Sequence, residues 1–236
     1  MVGLSRRAAP PALALRQSKW TSRWKAIRAA KGDRDWATGT AKKLLKPALS
    51  ALSFNKCAFC ETMLHEPNEP HIEHYIAKTV EEDRAFEWEN LLPCCSDCNT
   101  AKANADHQGT LLKPDAENPE PFFWLNPANG DLEPHPELSA EASARAAETI
   151  RLCNLKRGAL SESRRLIWLQ VRRWVERAQE NQAREKNRLR EELNEFLSPS
   201  REHKFVIRLV LSESHPALSE EDRRRFAAGQ STSAAV

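Results

Sequence analysis

Cys57-Ala58-Phe59-Cys60, His71-Ile72-Glu73-His74, Asn90-Leu91-Leu92 and Cys95-Ser96-Asp97-Cys98-Asn99 follow one another between residues 57 and 102, and Lys102 closes the run. Two short-spaced cysteine pairs, with 34 residues between Cys60 and Cys95, frame a cluster of histidine and carboxylate. Zinc takes four tetrahedral sulfur or nitrogen ligands, and each Cys-x2-Cys turn aims two thiolates at one ion. Cys57, Cys60, Cys95 and Cys98 are therefore expected to hold a closed, structural Zn2+. A lone pair of this kind can be redox-active; two pairs around a histidine cluster favour zinc. Cys94 adjoins Cys95, but the two-residue spacing to Cys98 selects Cys95. Cys153 stands alone on an apolar helix face and reads as a small buried side chain.

Glu73-His74 inside the frame suggests chemistry. Hydrolysing a phosphodiester requires a base to activate water and a divalent cation to take up negative charge. His74, with a reference pKa of about 6.5, suits the first task. Glu73 and the side-chain oxygen of Asn99 are hard donors suited to Mg2+ or Mn2+. His71 shares a strand face with Glu73 and is expected to brace the strand rather than join the metal. His65 and His107 are expected at the surface.

The order Cys-x2-Cys, Glu-His, Asn-Leu-Leu, Cys-x2-Cys-Asn, Lys resembles the HNH endonucleases over about 46 residues. The resemblance implies a ββα-metal fold, with a histidine base on the first strand and a metal ligand on the helix. Carried over by position, it makes Glu73 and Asn99 ligands of the catalytic ion, His74 the general base, and Asn90 a brace that hydrogen-bonds backbone groups. Lys102, one turn beyond Asn99, and Lys78 are expected to meet substrate phosphate. Lys56-Cys57-Ala58-Phe59-Cys60-Glu61, Trp88-Glu89-Asn90-Leu91-Leu92 and Glu148-Thr149-Ile150-Arg151-Leu152-Cys153-Asn154-Leu155-Lys156-Arg157 extend the likeness across roughly residues 40 to 170. There the chain looks like the HNH subunit of Septu-type antiphage systems, the PtuB-like proteins, some of which accompany retrons. That implies an ABC-type ATPase partner, PtuA-like, controlling the nuclease. One departure is Glu73-His74-Tyr75-Ile76-Ala77-Lys78, where such proteins usually read Glu-His-Phe-Arg-Pro-Lys.

The expected function is a metal-dependent endonuclease cutting nucleic acid, DNA first, to leave 5′-phosphate and 3′-hydroxyl ends. Two alternatives stand beside it: an RNA-cleaving enzyme, for instance on transfer RNA, with the same centre, and a non-catalytic zinc module that binds nucleic acid or protein. Intact Glu73, His74 and Asn99 argue against the last, since scaffolding needs only the cysteines.

Outside this run, charge is segregated. Residues 1–56 carry 13 Lys and Arg against 2 Asp and Glu, residues 57–150 carry 5 against 19, and residues 151–236 carry 18 against 12, for a net of +3. Phosphate is gripped by Lys and Arg, so the grip is expected from the basic ends or from a partner protein. The paired cysteine spacings fit a reducing cytoplasm. Arg6-Arg7 before an Ala/Pro/Leu stretch looks faintly like a signal sequence, but two prolines and Arg16 argue against one. No stretch approaches the roughly 18 apolar residues that cross a membrane, so the expectation is a soluble, cytoplasmic protein with no membrane partner.

The fold class reads as mainly α with a small zinc-stapled ββα-metal (HNH) module and a long C-terminal helix. Residues 1–56 form a basic helical region. Its first 15 residues are mobile, one helix carries Trp20, Trp24 and Ile27 and ends near Gly32, and another runs from Gly39 to Leu52 with Pro47 inside it. The tryptophans read as packing the core, although aromatics among basic residues can also stack on bases. Residues 57–110 form the zinc module, with a strand from His71 to Ile76, a second at Leu91-Leu92 and a helix from Cys98. Residues 111–138 are a Pro-rich connector with a strand at Phe122–Leu125 and a turn at Asn129-Gly130. Residues 139–211 are helical: Ser139 caps one helix to about Cys153, and a single helix spans about 161–197, interrupted in its stripe by Gln182 and Glu185. Its second half is expected to project or bind a partner. Residues 212–236 read as a polar, partly disordered tail.

Overall fold

The structure, a computed structural model, describes residues 1, 3–31, 36, 39–65, 70–107, 109–180, 186–214 and 220. Gly32 as a helix stop, Gln182 and Glu185 as interruptions and the tail at 229–236 lie outside the described residues.

Three helices open the chain: α1 (Pro11–Ala14), α2 (Gln17–Lys31) and α3 (Gly39–Leu52). In α3, Ala41, Leu45, Leu49 and Leu52 recur at helical spacing and are buried, while Pro47 sits on the exposed face, where water can replace the hydrogen bond that proline removes. With Leu13 and Trp24 they form one apolar cluster that includes Ala85, Phe86, Trp88 and Leu91 of the central stretch. The expectation of a mobile leading segment is thereby corrected. Leu13 is buried, the Leu4 N–H donates to Pro114 O at 2.6 Å, and the Arg6 guanidinium donates to Trp88 O at 2.6 Å, Leu91 O at 2.8 Å and Asp115 Oδ2 at 2.5 Å. Arg6 thus joins the leading segment to the carbonyls of Trp88 and Leu91 and to Asp115, so it ties the segment down.

The central stretch carries β1 (His71–His74) and β2 (Leu91–Cys94), which pair antiparallel with Glu73 opposite Leu92 and His74 opposite Leu91. Helix α4 (Ser96–Lys102) follows directly, with Cys95 as its N-cap. β1 stops at His74 rather than running to Ile76, because the Ile76 N–H is taken by the Asn90 side chain. The Pro-rich stretch forms a hairpin of β3 (Phe123–Leu125) and β4 (Leu132–Pro134). Its turn holds Gly130 at φ +78, where an added Cβ would lie 1.9 Å from Ser161 O. Only glycine fits that approach.

Helix α5 (Ala140–Leu152) is capped by Ser139, whose side chain accepts the Ala142 N–H. It ends in a Schellman turn: Asn154 adopts φ +47, its N–H reaches Arg151 O, and the Leu155 N–H reaches Ile150 O at 2.9 Å. This gives Cys153-Asn154-Leu155 a physical reading, since asparagine tolerates the left-handed backbone and Leu155 is the buried contact that follows it. Next come α6 (Gly158–Glu180), α7 (Lys186–Leu197) and α8 (Lys204–Glu213).

A single helix over 161–197 is corrected here. Trp174 Nε1 donates to Leu189 O at 3.0 Å, whereas fifteen residues along one helix would separate them by about 22 Å. Val171, Trp174 and Val175 of α6, Leu189, Leu193 and Phe196 of α7, and Ile207, Val210 and Leu211 of α8 form one buried cluster. The two apolar stripes satisfy each other, so the second half packs at home instead of projecting.

The segregated charges also meet in space. Lys25 pairs with Asp83, Arg28 with Glu82, Arg6 with Asp115, Arg157 with Asp97 and Arg208 with Glu120. Part of the excess in each terminal region is thus neutralised by the acidic centre. Among the described residues no helix is long and apolar enough to cross a membrane.

Candidate metal centre and active site

The first cysteine pair sits on a tight turn. The Cys57 N–H donates to Thr62 O, the Glu61 N–H to Cys57 O, and the Ala58 N–H to Pro93 O, which pins the turn to β2. The second pair sits at the head of α4, where the Cys98 N–H points at Cys95 Sγ, 3.5 Å away. One sulfur caps the helix and the other follows three residues on, so both face the same way. Among the described residues, Cys57, Cys60, Cys95 and Cys98 are brought together with ligand atoms all within 4.8 Å of one another, and all four are buried. Zn–S bonds of about 2.3 Å set a tetrahedral S–S edge of about 3.8 Å; Cys60 Sγ and Cys95 Sγ lie 3.6 Å apart. Four soft thiolates at that spacing fit a structural zinc. Cys94 is buried beside Cys57 Sγ at 3.9 Å but is not one of the four. Cys153 is fully buried at the end of α5.

A pocket of about 240 Å³ opens on the other side of β1, lined by Trp36, Ile72, Glu73, His74, Lys78 and Asn99 among others. Three of the residues singled out for chemistry, Glu73, His74 and Asn99, therefore share one cavity, with Lys78 at its edge. His74 is 7% exposed. Its Nε2 lies 2.9 Å from Ala85 O; a carbonyl only accepts, so Nε2 carries the proton and Nδ1 keeps the lone pair. Burial pulls the imidazole down to about 3, against the opposing pull of Ala85 O, which keeps it neutral at ordinary pH, its Nδ1 lone pair free of a proton.

Asn90 is absent from that lining and fully buried. Its Oδ1 accepts the Ile76 N–H at 2.7 Å, and its Nδ2 donates to Ile76 O at 2.9 Å and Arg84 O at 3.1 Å. The amide thus clamps both ends of the loop that leaves His74. Glu73, 5% exposed, receives Lys102 Nζ on Oε1 at 2.6 Å. Burial pushes its carboxyl up to about 7 even against that ammonium.

Two positions differ from expectation. Lys102 was expected to meet a phosphate, but its side chain is fully buried and its ammonium is spent on Glu73 and on His74 O at 2.8 Å. Position 102 lies in the last turn of α4, which packs against β1. His107 was expected at the surface, but it is buried, with Nε2 2.7 Å from Tyr75 O and its ring against Tyr75. His71 is exposed at the start of β1, and His65 is exposed too.

Trp36 was not singled out from sequence. Its ring meets His74 edge-on at 4.5 Å and stacks on Phe86, and its indole N–H donates to Ala85 O, the same carbonyl that holds His74. It stands in a stretch without hydrophobic period, so only the fold brings it to the site. Arg157 is the other omission: its guanidinium lies 3.6 Å from Cys98 Sγ and 3.8 Å from Cys95 Sγ.

No family model matches the chain. Over 121 residues it is 30% identical to a Septu protein PtuB of Bacillus thuringiensis, an alignment that covers 50% of this chain and 44% of that protein. The matched part is thus less than half the length of the relative.

Proposed function

We propose that the chain is a metal-dependent HNH-type endonuclease, the nuclease effector of a Septu-like antiphage system, and that it hydrolyses phosphodiester bonds in DNA. The observation that carries this reading is the shared pocket of Glu73, His74 and Asn99 beside a four-cysteine cluster. The similarity to a Septu protein PtuB supports the defence context.

In this reading β1, β2 and α4 act as a ββα-metal module within residues 57–110. The carboxylate of Glu73 and the amide oxygen of Asn99 are hard donors and would hold Mg2+ or Mn2+. When bound, that ion supplies Lewis acidity toward the phosphate and the departing oxygen. His74 Nδ1 takes a proton from water as it attacks phosphorus, and the Nε2–H bond to Ala85 O steadies the ring as positive charge develops. Asn90 keeps the following loop, and with it His74, in register. Lys78, at the pocket rim, faces substrate phosphate. The zinc cysteines stay out of the reaction and fix α4 against β1. An ABC-type ATPase, PtuA-like, is the partner that delivers substrate, since the acidic centre by itself repels phosphate.

The test is cleavage of end-labelled DNA and RNA with Mg2+ or Mn2+ by the purified chain, alone and co-expressed with the ATPase. Cutting of DNA that His74→Ala abolishes, with zinc content unchanged, is expected. Cutting of RNA alone would overturn the substrate assignment, and full activity in His74→Ala would overturn the mechanism.

A further inference from the structure

Arg164 is a buried guanidinium to which, among the described residues, no carboxylate is hydrogen-bonded. It is 2% exposed, its Nη1 donates to Leu155 O at 2.5 Å, and its Nη2 has no hydrogen-bond partner. Among the ionisable groups that act on it are the sulfurs of Cys60 and Cys98, the Glu61 carboxylate, the opposing charge of Arg157 and His203. Glu61 is itself engaged, since its Oε1 lies 2.8 Å from the amino group of Met1 and its Oε2 accepts the Phe205 N–H. Arg157, from the turn between α5 and α6, spreads its two terminal nitrogens over Cys98 Sγ at 3.6 Å and Cys95 Sγ at 3.8 Å, with Nε 3.2 Å from Asp97.

An unpaired charge in the interior costs several kcal/mol, by the usual order of magnitude for buried ions. Against four neutral thiols, Arg164 would carry that cost. A zinc ion bound by four thiolates carries a net charge of −2, which the two guanidinium groups offset, Arg157 while also paired with Asp97. We propose that Arg157 and Arg164 are the counter-charges of a tetrathiolate zinc centre, which makes the α5–α6 turn a working part of the metal site. The inference rests on the zinc reading of the four cysteines and is independent of the nuclease reading.

The Schellman turn that ends α5 is the positioning device. Asn154 turns the backbone, Leu155 buries, and two residues later Arg157 meets the sulfurs; Arg164, two turns into α6, holds Leu155 O from the other side. N–H donation to a coordinated thiolate draws off electron density, so Arg157 also makes the sulfurs of Cys95 and Cys98 poorer nucleophiles and poorer proton acceptors.

The experiment uses the full chain loaded with zinc, and compares Arg157→Gln, Arg157→Lys and Arg164→Met with the parent. Zinc affinity is read by competition with a chromophoric chelator, and stability by thermal unfolding with zinc and with excess EDTA. Loss of an outer-shell partner typically weakens metal binding 10- to 100-fold, so about that loss is expected for Arg157→Gln and Arg164→Met. Arg157→Lys, which keeps charge but not the forked donors, should fall between. Faster alkylation of the four cysteines by iodoacetamide should accompany each loss. A purely packing role would lower stability equally with and without metal, whereas the counter-charge role lowers it only with zinc. If Arg164→Met does not fold, the partly exposed Arg157 variants decide the matter. Parental zinc affinity in both glutamine and methionine variants overturns the proposal while leaving the zinc reading intact, and a parent that purifies without zinc overturns both.

Discussion

Lys102→Met removes the ammonium from a pair buried under β1. The Lys102 side chain is 0% exposed and that of Glu73 6%, with 2.6 Å between Nζ and Oε1. Methionine fills nearly the same volume, so the cost falls on Glu73, left without its cation, and on His74 O, left without a donor. Removing one partner of a buried pair costs about 3–5 kcal/mol when the other stays charged, so the measurement is made at alkaline pH, because burial pushes the Glu73 carboxyl up to about 7 even beside the ammonium. For a chain of this size each kcal/mol moves Tm by about 2–4 °C, so a fall of roughly 6–20 °C is expected in calorimetry with EDTA. A divalent cation held by Glu73 would take the place of the missing ammonium. Adding Mg2+ or Mn2+ should therefore restore more of the loss in Lys102→Met than it adds to the parent. Glu73→Gln with Lys102→Met should be less damaging than the single change, because no unpaired charge remains. A single variant that melts within about 2 °C of the parent would refute the buried-pair argument, and a cation response equal to the parent's would refute the substitution of one cation for another.

Three further outcomes follow from the geometry. Asn90→Ala strips partners from the Ile76 N–H, Ile76 O and Arg84 O; at about 1–3 kcal/mol per unsatisfied buried group, urea unfolding should show a loss of about 3 kcal/mol or more, with turnover falling further than substrate affinity. Burial holds His203 at about 4, below its ordinary 6.5, so the unfolded chain binds the extra proton between those values and stability is present above about pH 6.5 and lost as pH falls. The loss from pH 7 to pH 5 attributable to His203 is about 2 kcal/mol, and His203→Asn, which tolerates the left-handed backbone at φ +50, should show a correspondingly smaller drop in urea midpoint over that range. Gly130→Ala forces a Cβ to within 1.9 Å of Ser161 O at a positive φ and should cost at least about 2 kcal/mol, whereas Gly109→Ala, with open space around it, should cost only the strain of its φ.

The segregated charge was read as a division of labour, with chemistry at the centre and grip at the ends. The ion pairs of Arg6, Lys25, Arg28, Arg157 and Arg208 with central carboxylates change that emphasis. Part of the basic charge is structural mortar, and apolar contacts reinforce it, since Ala85, Phe86, Trp88 and Leu91 bury against α1 to α3. The central stretch is therefore unsuited to testing in isolation.

Spacing along the chain was enough to select Cys57, Cys60, Cys95 and Cys98 over Cys94, because a two-residue interval is what lets one turn present two sulfurs to a common point. The Ser139 cap, the helix from Gly39 to Leu52 and the Asn129-Gly130 turn were legible for the same reason: each is a local rule of backbone geometry and hydrogen bonding, whereas the bracing role of Asn90 came from the likeness to the HNH endonucleases. Tertiary structure alone decided the rest. It broke the expected long helix into α6 and α7, because two apolar stripes lower their free energy by packing on each other and on α8. It buried Lys102 against Glu73 and brought Trp36 to His74, contacts between residues 29 and 38 positions apart that no local period encodes. It also carried Arg157, just past the end of α5, to the sulfurs of Cys98 and Cys95, 59 and 62 positions back. Charge compensation is a property of neighbourhoods in space, and the linear order of residues does not contain it.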